Sequence, residues 1–209
     1  AIRPGGQQDE VARITLTAVG KDGAVLFRGD VPGSQNLNTR RNKASSQEVI
    51  SNQVRFNAPP GPLQLRIAIE GSFGEILDRS VREFIVPDFV SGPVSISTPR
   101  VYRARTIPEM RALAADASAT PTAKREFLRT ERILIRFDVY RSTGVTAELL
   151  NRVGEKMIDV PVVPSLVGGT HQVDFGLASI PSGDYLIAII VHDSEGKITR
   201  ELVPLTVGS

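Results

Sequence analysis

The chain has 209 residues, of which 41% are hydrophobic and 23% charged, and its formal net charge is only +2. This composition is that of an ordinary globular protein rather than a disordered one, and no apolar run approaches the roughly 18 residues that a membrane-spanning helix needs. The absence of cysteine excludes disulfides, thiol catalysis and cysteine-based zinc sites. The small charge and the 5% aromatic content, without tryptophan, argue against a nucleic-acid partner.

The first six residues, Ala-Ile-Arg-Pro-Gly-Gly, contain neither an initiator methionine nor an apolar core. They show no signal peptide, and we expect the chain to be a piece of something longer. Alternating apolar and polar residues then predict a series of strands, at 11–19, 24–28, 48–57, 63–70 and 75–86. Asp22-Gly23 between the first two is a hairpin signal. The polar stretch 32–46 predicts a long exposed loop.

A Pro-rich joint at 87–93 separates this half from a second series of strands. The second series is predicted at 94–97, 132–140, 146–152, 156–163, 172–177, 185–192 and 198–207. Between its first two strands lies an insertion, about 99–129. Within it Thr106 and Glu109 fit a capping box, and Ile107, Met110 and Leu113 follow at helical spacing, which predicts a helix at 107–117.

The two halves repeat one pattern. The segments 52–56, 59–61, 63–69 and 73–76 are echoed by 171–175, 181–183, 185–191 and 195–198. A repeat of this length is a domain rather than a solenoid unit, which has roughly 20 to 50 residues. We therefore predict two modules, residues 1–92 and 93–209. Many short strands with Gly and Pro turns indicate an all-β chain of two tandem immunoglobulin-like β-sandwiches, the second with the helical insertion.

Two local features of the second module carry structural predictions. Gly183-Asp184-Tyr185, at the start of an apolar strand, is similar to the tyrosine corner of immunoglobulin-like folds, so we expect the Tyr185 hydroxyl to bond backbone. The strand 185–191 is apolar on both faces, and its second face carries Leu186, Ala188 and Ile190. Because such a strand is normally covered on both sides, we predict that the insertion helix packs over that outer face.

The segments 124–140, 148–152, 154–157 and 159–162 resemble the C-terminal region of bacterial von Willebrand factor type A-related proteins of the acidobacterial type. Residues 59–61 and 86–89 resemble the module that precedes that region. The resemblance covers most of the chain and is strongest at 124–207. It implies a large exported protein in which β-sandwich modules follow a von Willebrand-type domain, and hence an extracellular or periplasmic location. The Asp-x-Ser-x-Ser metal-adhesion motif of that upstream domain is not found in this sequence.

Catalytic, metal and cofactor sites are not predicted. His171 and His192 fall on different strands, and no Gly-x-Ser-x-Gly elbow accompanies them. The residues 193–196 offer two carboxylates in a turn and could hold calcium, but Asp and Gly are also what a hairpin needs, and we favour the plain turn. Gly168-Gly169 opens no helix and is followed by no lysine, so it predicts no phosphate site.

The densest charged feature is a basic cluster with interleaved acids, which we interpret mainly as a self-paired surface. Its members are Arg100, Arg103, Arg105, Arg111, Lys124, Arg125, Arg129 and Arg132. Two functions remain open. The leading hypothesis is a non-catalytic structural or protein-interaction module of an exported bacterial protein, presenting loops or sheet edges to a partner protein. The alternative is a carbohydrate-binding module, which the shortage of aromatic residues disfavours. Candidate partner-binding residues are Arg100, Arg103, Arg105, Leu186 and Ile190.

Overall fold

The structure is a computed structural model that describes residues 11–32, 54–165 and 170–208. The predictions for loop residues 33–46, strand residues 48–53 and Gly168-Gly169 lie outside the described residues. The chain divides into two units, Ala1–Asp88 and Phe89–Ser209, where the sequence predicts a boundary after residue 92. The predicted fold class, an all-β chain of immunoglobulin-like β-sandwich modules, is confirmed.

The described residues of unit 1 form one antiparallel sheet in the order β2-β1-β3-β4. Its strands are β1 Val11–Val19, β2 Val25–Asp30, β3 Gly61–Gly71 and β4 Ile76–Val86. Alternation along β3 places Leu65 and Ile67 on one face and Gln64 and Arg66 on the other. The second face is a polar ladder, in which Arg66 donates to the Gln64 side chain at 2.7 Å and Gln64 donates to Glu83 at 3.2 Å.

Unit 2 is a sandwich of two sheets, with the orders β11-β10-β14-β15-β7 and β12-β13-β8-β6, beside a short pair β5-β9. The strands are β5 Ser95–Ile96, β6 Arg100–Ala104, β7 Glu126–Leu128, β8 Arg132–Phe137, β9 Val139–Tyr140, β10 Gly144–Asn151, β11 Lys156–Val160, β12 Val162–Pro164, β13 His171–Gly176, β14 Gly183–His192 and β15 Ile198–Gly208. Fully buried side chains from both sheets, such as Ile135, Phe137, Leu149 and Ile187, meet between them. The core of unit 2 is therefore contributed by alternate residues of both sheets.

One predicted strand is divided in the structure. The apolar run 156–163 forms β11 in one sheet and β12 in the other, with Pro161 between them. A proline has no N–H to give to a ladder, so the chain changes sheets at this residue.

The insertion contains α1 Ile107–Ala115, the one α-helix of the described residues. Its start is the predicted capping box, in which the Thr106 hydroxyl accepts from the Glu109 N–H at 3.2 Å. The Glu109 carboxylate reaches one residue further back than the motif requires and accepts from the Arg105 N–H at 2.8 Å. The helix ends before Asp116, two residues earlier than predicted.

The predicted position of this helix is wrong. Met110 is buried against Tyr102, Ala104 and Leu134, so α1 covers the outer face of β6 and β8 rather than that of β14. The strand β8 is buried on both faces, since Ile133, Ile135 and Phe137 lie in the core and Leu134 and Arg136 are buried on the other face, and it is this strand that requires a cover. On the outer face of β14 the small Ala188 is buried, while Leu186 and Ile190 are half-buried.

The repeat in the sequence corresponds to a repeat in the sheets. The order β2-β1-β3-β4 of unit 1 recurs as β11-β10-β14-β15 in unit 2, strand for strand. The turns after β3 and β14 also match, since Gly74 and Gly196 adopt φ values of +80° and +81°. The described part of the echo at 52–56 differs from its copy: residues 54–57 form no strand, whereas the copy lies in β13, which is paired on both sides.

Candidate protein-interaction surface

The structure does not bring the five predicted partner-binding residues together. Arg100 and Arg103 lie on β6 and Arg105 follows that strand, in the four-stranded sheet of unit 2. Leu186 and Ile190 lie on β14, in the five-stranded sheet. The two groups therefore belong to opposite layers of the sandwich.

The arginines of this set are engaged within unit 2. Arg100 pairs with Asp138 at 3.4 Å, and Arg103 and Arg105 each lie 3.6 Å from the carboxylate of Glu131. Glu131 is only 2% exposed and also accepts from the Leu128 N–H at 2.8 Å. A buried carboxylate with these partners fixes the end of the insertion against β6. These contacts favour a structural role for Arg103 and Arg105 over recognition of an anionic partner.

The histidines and the carboxylate turn form no reactive arrangement in the part of the chain that the structure describes. The His171 ring stacks on Phe137 at 6.0 Å in one sheet, and His192 lies in the other. The Asp193 carboxylate accepts from the N–H groups of Glu195 and Lys197, both at 2.8 Å, which is the bonding of an Asp turn. No group of three His, Asp or Glu residues within the described ranges is placed to hold a metal ion. Nor does any helix there have the length and apolarity to cross a bilayer.

Each unit carries a groove at the end of its repeated hairpin. In unit 1 the groove has a volume of about 510 Å³ and is lined by Val19, Gly20, Pro62, Leu63, Gln64, Glu83, Phe84 and Ile85. In unit 2 it has a volume of about 320 Å³ and is lined by Arg125, Arg152, Asp184, Tyr185, Leu186, Pro204, Leu205 and Thr206. Six residues of each lining come from the two strands of the hairpin.

Strand register shows that the two grooves are equivalent. Gly61 pairs with Val86 in unit 1 as Gly183 pairs with Val207 in unit 2. Counting from these pairs, three further pairs of facing residues correspond. The pair Pro62–Ile85 corresponds to Asp184–Thr206, Leu63–Phe84 to Tyr185–Leu205, and Gln64–Glu83 to Leu186–Pro204. The same surface is therefore built twice in one chain.

The two copies differ at the sheet edge beside the groove. In unit 2 the insertion adds β7 to β15 as a parallel strand, with the pairs Thr206–Glu126, Val207–Phe127 and Gly208–Leu128. The N–H of Thr206 donates to the Arg125 carbonyl at 2.8 Å, which shows that this N–H faces away from β14. Phe127 is buried in the core. The insertion thus occupies the end of this edge with an extended segment and contributes Arg125 to the groove wall.

In unit 1 the equivalent strand, β4, pairs with β3 alone among the described residues. Ile85 faces Pro62, which has no N–H, so that pair cannot exchange backbone hydrogen bonds. The N–H and C=O of Ile85 therefore point outward, as those of its equivalent Thr206 do. Every second residue shares this direction, which gives an outward row of Arg79, Val81, Glu83 and Ile85.

Large apolar side chains accompany these backbone groups. Val81, Phe84 and Ile85 are 57%, 50% and 75% exposed. Natural edge strands are usually short, charged, bulged, interrupted by proline or covered, because an open edge is a template for another strand. β4 is 11 residues long, contains no proline and has no further strand beside it among the described residues. Its protective features are four charged residues and a bulge at Leu77. Sequence reasoning missed Val81, Phe84 and Ile85. The repeat does align Glu83 with Pro204, which indicates that only the second copy of this strand is interrupted by proline.

The other edges of the described sheets are shorter, covered or interrupted by proline. The part of β15 that β7 leaves unpaired, 198–205, contains Pro204. In unit 2, β12 is three residues long and ends at Pro164, and β6 is covered where the Thr122 N–H donates to the Val101 carbonyl at 2.7 Å. The charged β11 has five residues, and its Lys156 pairs with Glu148 and Asp159 at 3.0 and 2.7 Å. In unit 1, β2 has six residues. The β4 edge and its groove, which we call the β4 surface, are therefore the candidate interaction site.

A scan against models of protein families finds no match, and a search of curated proteins finds none. Among solved structures, the chain is similar to dimeric latent PorU from Porphyromonas gingivalis, with 16% identity and a TM-score of 0.44, over 95% of this chain and 16% of that one. A tetra-tandem repeat in the extending region of a large adhesion protein gives 10% identity and a TM-score of 0.33, over 96% of this chain and 42% of that one. The fibronectin(III)-like modules of Clostridium thermocellum CbhA give 13% identity and a TM-score of 0.26, over 96% of this chain and 80% of that one. The chain thus spans less than half the length of the first two.

Proposed function

We propose that this chain is a non-catalytic protein-interaction module of an exported bacterial protein, and that it binds an extended segment of a partner protein along the β4 surface. The observation that carries the proposal is the open edge of β4 beside a groove, with Phe84 and Ile85 half or more exposed. Its exported and bacterial character rests on the resemblance to von Willebrand factor type A-related proteins.

Strand addition to this edge has an internal precedent. At the equivalent edge of unit 2, residues of the insertion pair with the end of β15 and bury Phe127. The N–H and C=O of Ile85 face outward in the same way and can bond the backbone of an incoming strand. The exposed apolar side chains beside them can be buried by that strand. Main-chain hydrogen bonds then provide affinity, and the groove selects a side chain.

The alternative, carbohydrate binding, requires aromatic rings that a sugar can stack on. Tyr102 and Tyr185 are buried, and Tyr140 stacks on Phe89 with a centroid distance of 4.2 Å. The most exposed described aromatic is Phe73, in the turn after β3. Phe84 is also half exposed, but it lies at the opposite end of the hairpin, so the two rings form no common platform for a sugar and the protein partner is favoured.

The proposal is tested by panning a phage-displayed library of random linear peptides on the full chain. Glu83→Pro copies Pro204 from the equivalent position and removes one outward N–H, which no described residue uses, so the unit should still fold. Glu83→Ala is the matched control, because it removes the same carboxylate and keeps the N–H. We expect peptides that bind the native chain and Glu83→Ala but lose at least about tenfold in affinity on Glu83→Pro.

The same preparations are applied to a glycan array. Peptides that bind Glu83→Pro as well as the native chain would overturn strand addition at β4. Specific glycan binding without any peptide enrichment would replace the proposal by the carbohydrate-binding alternative.

A further inference from the structure

The exposed strand β4 has a sequence that is chemically symmetric about its middle residue. Its outward row reads Arg79, Val81, Glu83 and Ile85. Before Arg79 the alternation is interrupted by a bulge at Leu77, which has no partner in β3. Read in either direction from Val81, a charged residue comes next. The two charges, Arg79 and Glu83, have opposite signs.

Such a strand can pair with a second copy of itself. In an antiparallel pair related by a two-fold axis through Val81, Val81 faces Val81 of the other copy, and Arg79 faces Glu83 in both directions. In the other row Ser80 faces Arg82 and Asp78 faces Phe84, so no like charges meet. Opposite charges and apolar pairs directly across a ladder are both stabilising, whereas like charges are not.

Other registers fit less well. The outward groups can meet only if the register shifts by an even number of residues. A two-fold axis through Arg82 sets two arginines face to face and places Glu83 opposite Val81. An axis through Ser80 retains an Asp78–Arg82 pair but sets Leu77 against Glu83 and leaves Ile85 and Val86 unpaired. Of these three axes, only the one through Val81 sets opposite charges face to face in the outward row, and it does so twice.

We propose that the partner at the β4 surface is a second copy of this chain, bound edge to edge through antiparallel β4 strands centred on Val81. This inference rests on the proposed function, because it names the occupant of the same edge. The side chains of Arg79 and Glu83 are exposed, and Glu83 accepts one bond from Gln64 at 3.2 Å, which leaves its second oxygen for the incoming arginine.

A charge-exchange experiment tests the pairing on the full chain. Sedimentation velocity over a range of concentrations should show a monomer–dimer equilibrium for the native chain. Arg79→Glu places like charges opposite each other twice in the dimer, and so does Glu83→Arg. We expect each to raise the dissociation constant at least about tenfold, and the double variant to return it to within about threefold of the native value.

A cross-linking experiment tests the register. The chain has no cysteine, so Val81→Cys introduces a single thiol. Opposed residues in an antiparallel ladder have Cα atoms about 4.5 to 5.5 Å apart, within reach of a disulfide. We expect mild oxidation to link two Val81→Cys chains. Arg79→Cys is the control, since in this register its two copies lie roughly 13 Å apart and should not link.

Three results would overturn the inference: a monomer at every concentration, two single charge variants that dimerise like the native chain, or efficient linkage of Arg79→Cys with none of Val81→Cys. If the chain does not dimerise but still selects peptides whose binding is weakened by Glu83→Pro, the proposed function stands and the second copy is rejected as the partner. Failure of both would reject the β4 surface itself.

Discussion

The guanidinium of Arg136 lies 4.9 Å from the centre of the Tyr102 ring and is almost fully buried. From that position it donates to the carbonyl of Leu113 and, at 2.8 Å, to that of Asp116. These carbonyls lie at the end of α1, where the Leu113 carbonyl otherwise accepts only a long bond of 3.3 Å from the Asp116 N–H. One side chain of β8 therefore both closes the helix and holds it on the sheet.

Arg136→Met should lower the free energy of unfolding of unit 2 by about 2 to 4 kcal/mol, because it removes two charge-assisted hydrogen bonds and the contact of the guanidinium with the Tyr102 ring. Guanidinium chloride denaturation measures this loss. Arg111→Met, on the exposed side of the same helix, is the control and should change stability by less than about 0.5 kcal/mol. Equal effects of the two substitutions would contradict the anchoring role of Arg136.

The tyrosine corner predicted from the sequence is present, with the Tyr185 hydroxyl donating to the Pro181 carbonyl at 2.9 Å. Tyr185→Phe removes only this bond and should cost about 0.5 to 1.5 kcal/mol. Tyr185→Ala also empties a buried site and should cost about 3 to 5 kcal/mol. Thermal unfolding distinguishes the two variants, and a phenylalanine variant as unstable as the alanine one would show that the bond dominates over packing.

Because the turns after β3 and β14 have the same conformation, substitutions at Gly74 and Gly196 should lower the free energy of unfolding by similar amounts. An added Cβ meets no atom within 4 Å at Gly74 or Gly196, so substitution there is opposed only by the positive φ. Gly74→Ala and Gly196→Ala should each destabilise their own hairpin by about 1 to 2 kcal/mol. Hydrogen exchange of the β3 and β14 amides reports each loss separately. Gly144→Ala, equally free of neighbours but without a positive φ, should be neutral or slightly stabilising.

The Asp116 carboxylate at the end of α1 has its pKa lowered from 3.8, chiefly by the Ser118 hydroxyl and then by the Ser118 N–H, both 2.7 Å away. A carboxyl whose pKa is lower in the folded state contributes stability above its unfolded pKa and loses it as the pH falls through the folded value. Ser118→Ala should raise the Asp116 pKa toward 3.8, as measured by NMR titration of the carboxyl carbon. Ser118→Thr keeps the hydroxyl and should leave the Asp116 pKa low. An unchanged Asp116 pKa in the alanine variant would show that the Ser118 hydroxyl is not the cause of the shift.

Much of the strand pattern could be predicted, because alternation with a period of two reports burial within one strand. The predicted strand at 11–19 coincides with β1, and that at 63–70 lies within β3. The position of α1 could not be predicted in the same way. It depends on which of two apolar strands lacks a cover, and Arg136 reads as a polar interruption of β8 until its carbonyl partners are known.

The candidate site was hidden for a related reason. The cluster of charged residues in the sequence points to Arg103 and Arg105, yet both lie beside the buried Glu131. The β4 surface depends instead on which backbone groups remain without a strand beside them. That property follows from sheet order, and no single segment of sequence contains it.

The contact between Arg125 and Thr206 has a kinetic consequence. It joins segments far apart in the chain, whereas the hairpin of β14 and β15 closes locally. Because distant contacts carry a larger loop-closure entropy, the hairpin should form first and stand for a time with its outer side bare. Pro204 lies on that side, two residues before Thr206, and offers no N–H to a strand of another chain during the interval. Because β7 pairs only with residues 206–208, Pro204 keeps this effect in the native state, so one residue protects the same edge from aggregation during folding and afterwards.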